Sequence, residues 1–158
     1  PQPLVLDADG INALAGHMDE WERRRGRVTV LTPHEGEFLR VGGDLSQGRT
    51  AAAEDFARRS GAVVVLKGPG TVVAGPDGRC RVNTTGNCGM AKGGSGDVLS
   101  GVVLALLGLG IDAFDACCCA VWLHGRAGDL AAQEKGQWGM TPTDLLERLP
   151  QALREVTE

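Results

Sequence analysis

The stretch GAVVVLKG, Gly61 to Gly68, is apolar at every position from Ala62 to Leu66 and ends in a lysine. An unbroken apolar run of this length suits a strand buried on both faces, as in a parallel sheet covered by helices. Two shorter runs precede it: LVLDA (Leu4 to Ala8), which ends among acids, and RVTVLTP (Arg27 to Pro33), which is closed by a proline. Helix-like segments, GINALAGHMDEWERR (Gly10 to Arg24) and SQGRTAAAEDFARRSG (Ser46 to Gly61), separate the three runs. Strand, helix, strand, helix, strand predicts an α/β core with a doubly wound sheet.

The pattern changes after Gly68. TVVAGPDGRCRVN (Thr71 to Asn83) places two strand-like runs around Gly75-Pro76-Asp77-Gly78, a β-hairpin signal. Three helical segments follow: Asp97 to Gly110, almost wholly apolar; Asp112 to Glu134; and Thr141 to Val156, with Thr141 or Thr143 as its N-cap. The chain has 158 residues, the size of one domain with a sizeable core. It opens directly into the strand PLVLDADG without an initiator Met, so we expect earlier elements of the same domain to be absent.

A net charge of −4 and the lack of a long basic tract argue against general nucleic-acid binding. The densest basic stretch, ERRRGR (Glu22 to Arg27), reads as a solvated helix end or loop. No apolar run reaches the roughly 18 residues of a membrane span, and no signal peptide is evident. The five cysteines form no C-x-x-C pair. Cys117, Cys118 and Cys119 read as small core residues in a reducing compartment.

Ligands of an open parallel sheet bind beyond the carboxyl ends of its strands. Those ends are polar here: Asp7 and Asp9, then Thr32, His34, Glu35 and Glu37, then Lys67 and GPGT. The glycine-rich stretch NTTGNCGMAKGGSGDVLSG (Asn83 to Gly101) leads into the apolar helix. A helix N-terminus offers unpaired N–H groups, and glycines let a phosphate approach them closely. GGSGD (Gly93 to Asp97) is therefore either such a phosphate cradle or a flexible connector capped by Asp97. It is not a P-loop, because Ala91 and Gly93 break G-x-x-x-x-G-K-[ST]. It is not the dinucleotide motif either, because Leu99 stands at the third glycine. A carboxylate beside bound phosphates is costly unless it serves the chemistry, so Asp97 is a candidate general base for an attacking hydroxyl.

The same stretch resembles the signature of the ribokinase-like superfamily. It is most similar to the ADP-dependent NAD(P)H-hydrate dehydratases, through Thr85, Gly86, Asn87, Met90, Ala91, Gly93, Gly94, Ser95, Gly96, Asp97, Val98, Leu99, Ser100 and Gly101. LDADGIN, LTPHEGEF and VVLKGPGTVV resemble three further blocks of that branch, in the same order. The resemblance implies a three-layer α/β/α sandwich with a mostly parallel sheet and a β-hairpin. Residues 1–158 would form the C-terminal portion of one such domain.

It also implies a repair reaction, in which ADP phosphorylates the ring hydroxyl of NADH or NADPH hydrate and phosphate then leaves. The products are NAD(P)H, AMP and phosphate. By position, Asp97 contacts the hydrate and acts as the base, and His34 also touches the hydrate. Lys67, Gly68, Pro69, Gly70, Thr71, Asn87, Gly93, Gly94, Ser95 and Gly96 hold the nucleotide, with residues 88–92 completing the loop. Glu37 matches a glutamate that helps place Mg²⁺ on the phosphates. ADP is the expected donor and ATP its alternative.

A cytoplasmic homo-oligomer, often a tetramer, and in some relatives a fused epimerase domain belong to the same resemblance. Asp7, Asp9 and Asn12 are second-rank site candidates, with capping as the competing reading. Met90, Trp122, Trp138 and Met140 are packing or adenine-side candidates, and His124 reads as structural. Two other functions compete: a ribokinase-like kinase acting on a vitamin or sugar hydroxyl, and a nucleotide-binding fragment without turnover.

Overall fold

Strand β3 (Val63–Leu66) is buried at all four positions. Its side chains alternate between two cores: Val64 and Leu66 enter one, Val63 and Val65 the other, as the two-residue strand repeat dictates. Each such burial stabilises the fold by roughly 1.5–3 kcal/mol, which explains why this run is apolar on both faces. The computed structural model describes residues 2–158.

One sheet contains β1 (Leu4–Leu6), β2 (Thr29–Leu31), β3, β4 (Val72–Ala74) and β5 (Cys80–Val82), side by side in that order. β1, β2 and β3 pair in parallel, with Leu4 opposite Thr29 and Val30 opposite Val63. β4 is antiparallel to both of its neighbours. Among the described strands only β4 therefore runs against the rest, as the hairpin signal requires.

On one face, α1 (Asp9–Asn12), α2 (Met18–Arg23), α3 (Glu35–Arg40) and α4 (Arg49–Ser60) contribute Ile11, Trp21, Phe38 and Phe56 to a core with Leu31, Val64 and Leu66. The Phe38 and Phe56 rings lie 5.3 Å apart. On the other face, α5 (Ser95–Gly108) and α6 (Ala113–Gly139) place Leu99, Val103, Phe114 and Cys117 against Val30, Val63, Val65 and Val73. The three-layer α/β/α arrangement expected from the sequence follows. α7 (Pro142–Thr157) packs on α6 rather than on the sheet, through Leu145 and Ala152 against Leu123, Ala127 and Leu130.

Several local expectations change. The single helix expected over 10–24 is two short ones, because Gly16 turns the chain with φ +81°. α3 begins where the sequence suggested only a strand end, and its N-cap is a histidine. α6 runs past Glu134 to Gly139, with non-helical dihedrals at Gly136. Of the three consecutive cysteines, Cys117 is buried, Cys118 half-buried and Cys119 exposed. Burial pushes the Cys117 thiol up to about 12 and the Cys118 thiol up to about 11. These two thiols are therefore poor nucleophiles. Among the described residues no helix is long and apolar enough to cross a membrane.

Candidate functional site

Parallel strands bring their carboxyl ends to one side. Asp7 follows β1, His34 follows β2 and Lys67 follows β3, and a parallel bridge joins His34 to Lys67. The Lys67 amide donates to the Pro33 carbonyl at 2.8 Å. Beyond Lys67 the chain turns through Gly68 (φ +148°) and Gly70 (φ +62°), and the Thr71 hydroxyl closes the turn onto the Gly68 carbonyl at 3.0 Å. The Arg49 guanidinium gathers this turn from below. It donates to the carbonyls of Leu66 (3.0 Å), Pro69 and Gly70 (3.3 Å) and pairs with Glu35 at 3.2 Å.

His34 caps α3. Its Nδ1 accepts from the amides of Gly36 (3.0 Å) and Glu37 (3.2 Å), and its own amide donates to Glu37 Oε2 at 2.9 Å. This is a reciprocal capping box. Glu37 is buried and its second oxygen lies 3.4 Å from His34 Nε2. Both Glu37 oxygens thus serve the start of its own helix. Among the described residues no three His, Cys, Asp or Glu side chains gather into a metal-binding group. The residues present do not fit a dedicated protein-ligated metal centre.

The glycine stretch is pressed against α6. The Gly86 amide donates to Asp129 Oδ2 at 3.0 Å, and the Asn87 side-chain amide donates to Asp129 Oδ1 at 2.9 Å. The Thr85 hydroxyl donates to the Trp122 carbonyl at 3.0 Å. A Cβ placed on Gly125 would lie 2.3 Å from Thr85 Oγ1, and one on Gly128 would lie 2.3 Å from Met90 Sδ. At Gly125, where the Thr85 backbone lies 2.7 and 2.8 Å from that Cβ, only glycine permits this approach. The Lys92 ammonium caps the end of α6 by donating to the carbonyls of Gln137 (3.3 Å), Trp138 (3.0 Å) and Met140.

α5 starts immediately afterwards. Gly94 is its N-cap, at φ +97°, so Asp97 is the third helical residue and not the cap that the connector reading assigned to it. His124 Nε2 donates to the Ser95 carbonyl at 2.8 Å. Burial lowers the His124 pKa; the Ser95 bond opposes this and the nearby Lys67 charge adds to it. At the next residue, a Cβ on Gly96 would lie 3.2 Å from Asp7 Oδ2 and 3.3 Å from Lys67 Nζ. Lys67 pairs with Asp7 at 2.7 Å. Burial acts to raise the Asp7 pKa, but hydrogen bonding and charge from Lys67, with the Ala8 amide and Thr32, hold it below the ordinary value.

These segments enclose a cleft of about 760 Å³. His34, Lys67, Gly68, Pro69, Gly70, Thr71, Asn87, Ser95 and Gly96 all line it, so most of the sequence-selected residues converge. Gly93, Gly94, Glu37 and Asp97 are not among its lining residues. Asp97 is exposed, one position beyond Gly96, and its carboxylate has no hydrogen bond or ion pair among the described residues. Met90 lines the cleft, whereas Trp138 is exposed and Met140 is buried. Trp122 borders a neighbouring groove beside β5. Asp9 and Asn12 bond to each other, and Asn12 also accepts from Arg40; neither caps α1, whose N-cap is Ala8 with no side-chain cap bond.

Sequence reasoning missed three contributors. His124, read as structural, stands in the cleft wall; Asp129 and Arg49 hold the two loops. The signal for the first two was the spacing HGRAGD (His124 to Asp129), with small residues three apart on one helix face.

The family model described as NAD(P)H-hydrate dehydratase matches residues 1–151. The bifunctional NAD(P)H-hydrate repair enzyme of Thermofilum pendens is 47% identical over 161 residues, which covers 99% of this chain and 30% of that protein. The ADP-dependent (S)-NAD(P)H-hydrate dehydratase of Neisseria meningitidis is 42% identical over 140 residues, 85% of this chain and 47% of that protein. A crystal structure of the ADP/ATP-dependent NAD(P)H-hydrate dehydratase of Bacillus subtilis, co-crystallised with ATP and Mg²⁺ and soaked with CoA, superposes with a TM-score of 0.81 at 34% identity, covering 97% of this chain and 56% of that one. The chain thus spans about 30% of the length of the bifunctional relatives. With three of the four sequence blocks lining one cleft and a family model matching almost end to end, this chain belongs to the NAD(P)H-hydrate dehydratase family.

Proposed function

We propose that this protein takes part in the ADP-dependent dehydration of NAD(P)H hydrate, releasing NAD(P)H, AMP and phosphate. The observation that carries this reading is the convergence of Lys67–Thr71, Asn87 and the start of α5 on one cleft beside His34. The Ser95 amide donates to the Lys92 carbonyl at 3.2 Å, which leaves the Gly96 amide at the α5 N-terminus as the natural seat for the donor phosphates. Lys67 supplies the fixed positive charge beside them. Gly68 to Thr71 and Asn87 face the rest of the nucleotide. Gly93 and Gly94 shape the approach to the helix rather than touch the ligand.

Asp97 is the base that takes the proton from the hydrate hydroxyl as that oxygen attacks the terminal phosphorus of ADP. Its lack of any competing bond keeps the carboxylate available. Phosphate then leaves with the electron pair of the C–O bond, and loss of a proton from the adjacent ring carbon to water restores the ring double bond. The exposed imidazole of His34 is the second contact for the hydrate. Any Mg²⁺ would be held mainly by the nucleotide's phosphates and water; Glu37, committed to the His34 capping box, would act on it only through that turn. ATP is the alternative donor. A homo-oligomer in a reducing, cytoplasmic compartment belongs to the same reading.

The test is to incubate the protein with hydrated NADH, Mg²⁺ and ADP, following nicotinamide absorbance and AMP together. Equal amounts of NADH and AMP are expected. Asp97→Asn should lower turnover by about 10²–10⁴-fold and leave ADP affinity within about threefold. Nucleotide binding with a stable phosphorylated product would move the assignment to a small-molecule kinase; loss of ADP binding in a folded Asp97→Asn variant would remove Asp97 from the role of base.

A further inference from the structure

We propose that Asp7 is a positioning residue of the nucleotide site: its carboxylate holds the Lys67 ammonium against Gly96 at the N-terminus of α5 and so fixes where that charge meets a phosphate. The inference rests on the nucleotide reading above.

Both Asp7 oxygens are committed. Oδ1 accepts from Lys67 at 2.7 Å and from the Ala8 amide at 2.9 Å, and Oδ2 accepts from the Ser100 hydroxyl at 3.3 Å. The side chains of Asp7 and Lys67 are only 16% and 23% exposed, so the pair sits in a screened, partly desolvated corner. Three elements meet there, from the end of β1, the end of β3 and the first turns of α5. Ser100 ties the carboxylate to the same helix whose first residues, Ser95 and Gly96, line the cleft. The backbone beside Asp7 is held out of the ordinary regions: Ala8 has φ +47° and ψ −118°, and among the described residues no other non-glycine has positive φ. Such a conformation is costly for a residue with a Cβ and persists only where the surroundings over-determine it.

Charge alone would make this carboxylate a poor choice, because it opposes the phosphates that the neighbouring amides attract. Its benefit lies in order. A lysine side chain loses much rotamer entropy when it is ordered, and an ammonium already fixed in the site no longer has to be ordered when the ligand arrives.

The two effects predict opposite signs, which makes the inference testable. ADP affinity is measured by calorimetry for the wild-type protein, Asp7→Asn, Lys67→Met and the double variant, with circular dichroism as the check of fold. Positioning predicts that Asp7→Asn weakens ADP binding about tenfold, although it removes a negative charge from an anion site. In the Lys67→Met background the same change should matter less than about twofold. Asp7→Asn binding ADP as tightly as wild type or tighter, or costing the same without Lys67, would overturn the inference.

If Asp7→Asn does not fold, Ser100→Ala frees only one oxygen and should weaken binding about two- to threefold; unchanged affinity there overturns it. If the wild-type protein binds no ADP, the nucleotide reading fails by itself. Lysine side-chain NMR without nucleotide then decides the positioning claim. A slowly exchanging Lys67 ammonium that is lost in Asp7→Asn supports it, and one equally ordered in both overturns it.

Discussion

The two sides of the cleft are built by different physics. The strand-end side, His34 and Lys67 to Thr71, is placed by sheet register and then secured by charge: Arg49 on three carbonyls, Asp7 on Lys67. The glycine-loop side is placed by close backbone approach to α6, with Asp129 and Thr85 as polar tethers. The first side should tolerate a change of shape better than a change of charge. The second should do the reverse.

The largest effect expected from this contrast is at Gly125. A Cβ there meets the Thr85 hydroxyl at 2.3 Å and the Thr85 backbone at 2.7 and 2.8 Å. Backbone cannot step aside cheaply, so Gly125→Ala should cost roughly 2–3 kcal/mol in urea unfolding and loosen the loop. Gly128→Ala meets only the flexible Met90 side chain and should cost less than about 1.5 kcal/mol, because methionine repacks easily. Equal costs at the two positions would show that the loop, not the side chain, is the yielding part.

Asp129→Asn comes next. It weakens two bonds to the loop and should reduce ADP affinity about fifteenfold, the low end of the roughly 1.5–3 kcal/mol range of charge-assisted bonds, as read by calorimetry. On the strand-end side, Arg49→Lys keeps the charge but cannot span three carbonyls. ADP affinity should fall about three- to fivefold. An unchanged affinity would mean that Gly68 and Gly70 hold the turn without help.

The smallest effect is a pH slope. The folded-state pKa of His124 lies below its ordinary 6.5, so the unfolded chain takes up a proton first as pH falls. The stability linked to His124 is complete above about pH 6.5 and declines as pH drops through the folded-state value. Urea midpoints measured from about pH 7.5 to 5.5 should fall, and His124→Asn should flatten that fall. An identical slope in the variant would place the titration elsewhere.

The contrast also marks what the sequence makes readable. The strand-end side was legible because two-faced burial leaves an unbroken apolar run, and Ala62 to Leu66 is such a run. The parallel order and the polar residues at the strand ends followed from it. The glycine loop was legible as a loop, but not its tethers: Asp129 lies 43 positions from Gly86, and nothing in a single sequence links them. α3 escaped because its cap is His34 instead of a serine, threonine or aspartate, although the Glu37 partner of a capping box stood in plain view. His124 looked structural because it lies in an apolar helical run; its place is decided by α5 crossing α6, a tertiary event. Gly16 broke a helix that periodicity alone would have continued, because its φ of +81° suits a turn.

Lys92 carries a consequence of another kind. Its ammonium closes the end of α6, while Asp129 and Trp122 of the same helix hold the other end of the glycine stretch. The amides that face the cleft keep their directions only because a helix more than thirty residues further along the chain is already in place. The motif is therefore not portable. Grafted onto another scaffold, or cut out as a peptide, the same letters would be a slack string of glycines, and a search for the motif alone would recover the words of this site without its grammar.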